Sequence, residues 1–440
     1  SFSGWTFVGH PGKIFTDGLP YAFASFYALT IPLTGVLFLR RQWVLGKAYG
    51  YITPGEMYSD YYGGNSIRLL TVLVAFLFSV PYLGVQLRAS GDLFNVLTDG
   101  LISVDVGMFA LSTVVMIYVA SGGLKSVAFV DCAQAILLAV GIMVLGGVTL
   151  NYLGGWSSFT AGLADLVRSD IESGNNLTLD GFSKKVAIPG SIQMVPQGSD
   201  SIGGSWTGIM CMTYMFALMG IQSSPAFSMW AFSNKTSQAF RWQQVFASAL
   251  FIGVLLFTFT IIQGIGGNLL IERGFIESAN DKTLVPQLIN LLSDSTPWLV
   301  GLLAVCALAA MQSTGAAYMS TFSAMVTRDI FTKFINPNAT DSVQKLCGRI
   351  FVIIVTLAAL FVAANSTQAI VMLGGLAVAY GFQMYPALIG LCYYKGFTKK
   401  GVVAGLIVGL IAVTLTDRTS AWFNVCLLYT SPSPRDALTS

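Results

Sequence analysis

The sequence predicts an all-α polytopic membrane protein with about 11 transmembrane segments, and three observations predict it. Of its 440 residues, 54% are hydrophobic and only 10% charged, with a mean hydropathy of +0.70. Soluble domains carry about 25% charged residues, so this composition cannot clothe a water-facing surface. The apolar residues fall in stretches of about 20, the length that crosses the hydrocarbon core as a helix. Lysine and arginine cluster in alternate connections between those stretches, as the positive-inside rule requires. A net charge of +3 is too small to argue for nucleic acid as a partner. The six cysteines and the single histidine show no CxxC or HExxH spacing, which removes zinc, haem and disulfide frameworks. No secretory signal is visible, so targeting to the cell's inner (plasma) membrane, as a multi-pass protein, rests on the spans themselves.

The first segment, 1–16, is read as partial, because it opens at Ser1 a few residues before a Gly-Pro break. The second, 19–39, stops at Arg40-Arg41, and the third, 68–92, runs from Arg68 to Asp92. Segments 104–121 and 126–150 flank Gly122-Gly123. The polar stretch 151–205, rich in Gly, Ser, Asn and Asp, reads as an irregular loop with a short helix around Thr160–Glu172. Segments 206–232, 243–267, 297–327, 348–364, 368–393 and 402–416 follow. One side of the alternation carries Arg40, Arg41, Lys47, Arg68, Lys125, Lys235, Arg241, Arg328, Lys333, Lys345, Arg349, Lys395, Lys399 and Lys400. The other carries Lys13, Arg168, Lys184, Lys185, Arg273, Lys282 and Arg418. The richer side is assigned to the cytoplasm and the 151–205 loop to the outside.

The organisation is therefore a first five-span set at 1–150 with its first helix cut short, the external loop at 151–205, and a second five-span set at 206–393. An additional span and the start of the next loop occupy 394–425. Residues 426–440, CLLYTSPSPRDALTS, break abruptly from the pattern; they look like sequencing-adapter read-through and are expected to be a non-native tail. Gly9-His10-Pro11-Gly12 interrupts the first segment and Ser223-Ser224-Pro225 the sixth, so each set opens on a break. Breaks at matched positions of two halves point to an inverted-repeat carrier whose unwound backbone binds ligands at the midplane. Membrane helices also tolerate Gly and Pro without any such role.

Candidate site residues follow from polar groups that hydrocarbon penalises. On the eighth segment, the Ala310 carbonyl and the Ser313 and Thr314 hydroxyls lie about one helical turn apart and offer three oxygens to a hard cation. The same hydroxyls would otherwise bond back to their own helix. Asp131 lies about one turn into the fifth segment, where a carboxylate costs at least 2.5–3.5 kcal/mol. It either caps a helix start or lies on an ion path, and its position alone leaves both open. Arg88 is read as the partner of Asp92 one turn away. His10 is placed near the outer mouth, and a histidine without a relay partner is thin support for a proton path. No nucleophile–base pair or metal cluster falls within the spans, so an intramembrane enzyme is excluded.

In this setting Ser3-Gly4-Trp5 with Gly9-His10-Pro11-Gly12, Gly122-Gly123-Leu124 with Asp131 and Gln134, and Ala309 to Thr314 resemble motifs of the sodium:solute symporter family. Gly348-Arg349 leading to Asn365, Pro386, and the run Phe397 to Gly405 are similar to further motifs of that family, in order over nearly 1–416. The resemblance implies a five-plus-five inverted-repeat (LeuT-like) transporter core and sodium-coupled symport of a small polar organic solute, such as an amino acid or carboxylate, by alternating access. It implies a sodium site built from the carbonyls of Phe2 and Ala310 and the side chains of Ser313 and Thr314. A further carbonyl would come from three residues before Phe2. Two-sodium members carry hydroxyls where Ala316 and Ala317 stand here, which implies one sodium per cycle.

For the solute, the resemblance is nearer the pantothenate and proline branches than the sugar branch. Ser224-Pro225 and the Phe232–Lys235 run fall where those branches carry similar residues. Trp230 replaces an arginine found there and Ala226 a histidine; Met219, Gly220 and Ile221 occupy positions that are aromatic in sugar carriers. Tyr82 and Gln86 match polar positions near the family's solute cavity, with Trp5, Gln222 and Gln383 as further candidates. The alternative reading is a membrane-embedded solute-sensing domain of a histidine kinase, since the same fold serves that purpose. The implied partners are the solute and the lipid bilayer.

Overall fold

The computed structural model describes residues 3–178, 180–191, 194, 206–365 and 370–416, with the side chains of 124–126 and 370–372 left aside. Phe2 and the 426–440 tail lie outside the described residues. A π-helical turn at Trp5–Gly9 runs into α1 (His10–Asp17), followed by α2 (Leu19–Tyr49), α3 (Pro54–Tyr62), α4 (Asn65–Leu97), α5 (Val104–Gly123), α6 (Val127–Tyr152) and α7 (Trp156–Ser173). The second half holds α8 (Gly208–Leu218), α9 (Pro225–Ser233), α10 (Gln243–Glu272), α11 (Leu284–Asn290), α12 (Pro297–Ile335), α13 (Asp341–Asn365), α14 (Leu373–Cys392) and α15 (Lys399–Thr416). Among the described residues there is no strand, only an isolated bridge between Leu177 and Ser183.

Nine of these helices, α2, α4, α5, α6, α10, α12, α13, α14 and α15, are long and apolar enough to cross a membrane. The two expected segments missing from that set are the first and the sixth, which are the broken ones. The sixth is divided at Ser224, whose extended backbone (φ −64°, ψ 147°) ends a tight turn at Met219–Ser223 before Pro225 opens α9. The first differs from expectation. Its chain stays helical through Gly9–Gly12, and the irregularity is the widened turn at Trp5–Gly9. Pro11 follows directly on that turn and offers no backbone N–H to the carbonyls one turn before it, so the helical ladder is interrupted there without the chain leaving the helix.

Local chemistry sets the other boundaries. Thr53 and Glu56 form a reciprocal capping box that starts α3. Ser103 accepts from the Val106 amide to start α5. The chain turns from α5 to α6 at Gly123, whose φ of 62° favours a residue without a Cβ. The short helix expected around Thr160–Glu172 is α7.

The core runs along α12, which packs against α4, α5, α6 and α13. At the lysine- and arginine-rich side, a polar network pins α3 to α4 and to the end of α12. Fully buried Asp329 accepts from Arg68 Nε at 2.6 Å and from Thr53 Oγ1 at 2.9 Å. Glu56 in turn receives Arg68 Nη2 at 3.4 Å and Arg328 Nη2 at 3.2 Å.

Candidate functional site

Two cavities hold five of the ten candidate residues, Trp5 and Tyr82 in one and Asp131, Ser313 and Thr314 in the other. The smaller, about 70 Å³, is walled by Trp5 and Thr6, by Tyr27 of α2, Tyr82 of α4, Tyr214 of α8, Ser248 of α10, and Gly374 and Gly375 of α14. It is aromatic and carries hydroxyls, and the described residues that line it include no carboxylate, histidine, lysine or arginine. Trp5 stands edge-on to Tyr27, with ring centroids 5.3 Å apart. Tyr82 packs against Tyr318 at 5.1 Å. Gln86 sits just behind this wall. Its Oε1 accepts the Gly4 amide at 2.7 Å and its Nε2 donates to the Tyr82 carbonyl at 3.2 Å. Gln86 therefore holds the entry of the first helix against α4.

The larger cavity, about 1010 Å³, brings Ser313 and Thr314 of α12 together with Asp131 and Gln134 of α6. It extends past Trp230 to Ser233, Asn234 and the exposed Lys235, on the lysine- and arginine-rich side. Asp131 is the acid that lines it, and its Oδ1 is buried with no hydrogen-bond partner among the described residues. Gln134 Nε2 donates to Gln312 Oε1 at 3.1 Å, and Tyr118 donates to the Gln312 carbonyl at 3.0 Å, which braces α5 and α6 against α12. Ser313 is half-buried at the cavity wall and Thr314 is 4% exposed. Uncharged hydroxyls beside a helical carbonyl, with a carboxylate in the same water-accessible space, suit a monovalent cation.

On the opposite side the small cavity is covered. Trp206 donates to Asp17 at 2.6 Å and packs on Tyr21 and Tyr214, with centroids 4.8 and 5.3 Å away. Gly12 meets the backbone of Asp281 so closely that a Cβ there would collide with the Asp281 carbonyl. Lys185, from the long loop, donates to the Phe15 carbonyl at 2.9 Å and to Asn268 at 3.1 Å. Burial pushes its ammonium below the usual lysine range, against the pull of Asp170.

The remaining candidates are placed apart. Gln222 is buried against Gly35 of α2, and its Oε1 has no partner among the described residues. Gln383 lines a separate cleft of about 340 Å³ with Pro386, Phe397, Thr398 and Gly405. Arg88 and Asp92 form the expected ion pair at 3.2 Å. His10 is fully buried, away from any mouth, because α2 and α10 close around it. Thr6, Tyr27, Tyr214 and Ser248 were not singled out by the sequence. Each stands in an apolar run where an aromatic or hydroxyl residue is ordinary filling.

The model of the Sodium:solute symporter family matches residues 1–409. The sodium/proline symporter of Escherichia coli is 24% identical over 93% of this chain and 77% of its own length. The monocarboxylate transport permease protein of Rhizobium johnstonii is 23% identical over 96% of the chain and 78% of its length. Among solved structures, the substrate-bound outward-open state of a Na+-coupled sialic acid symporter superposes with a TM-score of 0.71. That match has 16% identity and covers 96% of this chain and 83% of the other.

Proposed function

The chain belongs to the sodium:solute symporter family, and on that premise we propose how its two cavities divide the work. It is a multi-pass protein of the plasma membrane that carries out sodium-coupled symport of a small organic solute. Its inverted-repeat fold is the five-plus-five type. In the proposed division the solute sits in the small cavity against Trp5, Tyr27 and Tyr82. Sodium is held by the Ala310 carbonyl and the Ser313 and Thr314 hydroxyls, with the Phe2 carbonyl as a further ligand. Asp131 draws the ion along the larger cavity, which faces the cytoplasm in this orientation. One sodium moves per cycle.

The observation that carries this reading is the shared cavity of Ser313, Thr314 and Asp131, set beside a chamber of aromatic and hydroxyl groups. A cation among hydroxyls and carbonyls keeps most of the oxygen contacts it loses on leaving water. A chamber without a fixed cation favours solutes that bring no net charge, such as a zwitterionic amino acid. An anionic carboxylate would need its charge met by sodium itself. The deciding experiment is uptake into proteoliposomes with an imposed sodium gradient, across a panel of amino acids, monocarboxylates and sugars. Accumulation that requires the inward sodium gradient supports the reading; uptake indifferent to sodium refutes it.

A further inference from the structure

The sole histidine is fully enclosed, and neither cavity uses it. His10 Nε2 lies 2.8 Å from Ser25 Oγ of α2, and its Nδ1 lies 3.1 Å from Thr260 Oγ1 of α10. All three residues are at most 3% exposed. The direction of these bonds can be worked out. Thr260 spends its one hydroxyl hydrogen on the Leu256 carbonyl. Its oxygen is then an acceptor, so the neutral ring carries its hydrogen on Nδ1 and donates to Thr260. Nε2 is left to accept, and Ser25 must donate to it. The result is a one-way chain from α2 through His10 to α10.

Each member of that chain sits at an irregular turn. His10 follows the π turn Trp5–Gly9, Ser25 lies within the tight turn Phe23–Phe26, and Thr260 follows the π turn Leu255–Phe259. Such turns break the helical register and are where helices bend. The imidazole also stands 5.8 Å from the Trp5 ring, edge-on at 66°, and 5.0 Å from Tyr21 on another side. Trp5 is a wall of the small cavity.

We propose that His10 is a positioning residue, which pins three irregular turns together and thereby fixes the Trp5 wall of the solute chamber. This rests on the reading of the small cavity as the solute site, but its geometry can be tested without any solute. Val378 lines the chamber, and Val378→Cys in a background freed of native cysteines reports its opening. Val74 is buried in a separate cluster, and Val74→Cys in the same background reports general loosening. The measurement is the rate of N-ethylmaleimide labelling of each site in membranes.

His10→Leu removes both bonds and should speed labelling at position 378 by about 30-fold, about fivefold for each buried hydrogen bond lost from the opening equilibrium. His10→Asn puts an amide where Nδ1 stands, and His10→Gln puts one where Nε2 stands. Each keeps one of the two bonds and should fall between leucine and histidine. Labelling at position 74 should not change. The proposal is overturned if His10→Leu leaves position 378 as slow as before, if all three variants are equally fast, or if both positions accelerate together. Failure of sodium-driven uptake in the wild type would instead count against the symport assignment of the chamber.

Discussion

Thr314→Ala and Ser313→Ala should weaken sodium binding by unequal amounts, and the structure sets their order. Both hydroxyls line the larger cavity, but their surroundings differ. Ser313 is half-buried at the wall, so a water molecule can take the place of its oxygen once the side chain is cut back. The loss should be near the net value of an ordinary hydrogen bond, about 1 kcal/mol, or about fivefold in affinity. Thr314 is 4% exposed, and a methyl group there leaves the ion facing a dry surface. Its loss should reach the range for bonds to charged groups, about 2–3 kcal/mol, or about 30- to 150-fold. The assay is the sodium dependence of initial uptake at saturating solute, with solute affinity measured separately at saturating sodium. Thr314→Ser should recover most of the loss, because it restores the oxygen and removes only a methyl group. Wild-type sodium dependence in both alanine variants, or a larger effect at Ser313, would refute the placement of the ion on this face of α12.

The same geometry sets other outcomes. Reversal-potential measurements in vesicles should give one sodium per solute, since Ala316 and Ala317 offer no side-chain oxygen beside the proposed site; a two-to-one ratio contradicts this. Asp131→Asn should slow uptake or weaken apparent sodium affinity while leaving the Hill coefficient near one, and a changed coefficient would make Asp131 part of a second cage. Cysteines at Ser173 and Asn338 should differ in labelling by an impermeant reagent on intact cells, and reaction at Asn338 alone would invert the orientation. Arg68→Leu should destabilise the protein by about 3–5 kcal/mol, because fully buried Asp329 keeps only Thr53 as a partner. Asp329→Asn keeps the Thr53 bond, and Arg68 keeps Glu56, so its thermal shift in detergent should be the smaller of the two.

Much of this architecture was legible because a bilayer makes the cost of polar groups visible in one dimension. Lys399-Lys400 open the last described span, although α2 runs on past Arg40-Arg41 to Tyr49, and Asp131 is conspicuous because a carboxylate inside an apolar run needs a reason. Ser223-Ser224-Pro225 announced a break that the backbone at Ser224 confirms. Gly9–Gly12 carried the same signal, yet the chain there remains helical. A Gly-Pro-Gly string says only that unwinding is cheap, and here the irregularity is the widened turn just before it, at Trp5–Gly9.

What the sequence concealed is the part that depends on residues far apart along the chain. His10 and Thr260 are separated by 250 positions, and nothing local to either one names the other. Tyr27 and Tyr214 meet Trp5 and Tyr82 at the small cavity from four different helices. Each tyrosine sits within an apolar run, where its ring satisfies hydropathy and its hydroxyl leaves no mark. The same blindness separates Gln383 from Gln86. Both are glutamines in late turns of expected spans, but Gln86 faces the first helix while Gln383 faces α15 across its own cleft. Helical periodicity places a side chain on a face, and only packing decides what that face meets. For a carrier this matters in a specific way. The proposed ion site can be built largely from one helical turn and so can be read from one motif, whereas the proposed solute chamber is assembled from single residues on many helices. If that division holds, solute preference should change through substitutions at scattered positions such as Thr6, Tyr214 and Ser248, while the sodium dependence set by the Ala310–Thr314 turn stays as it is.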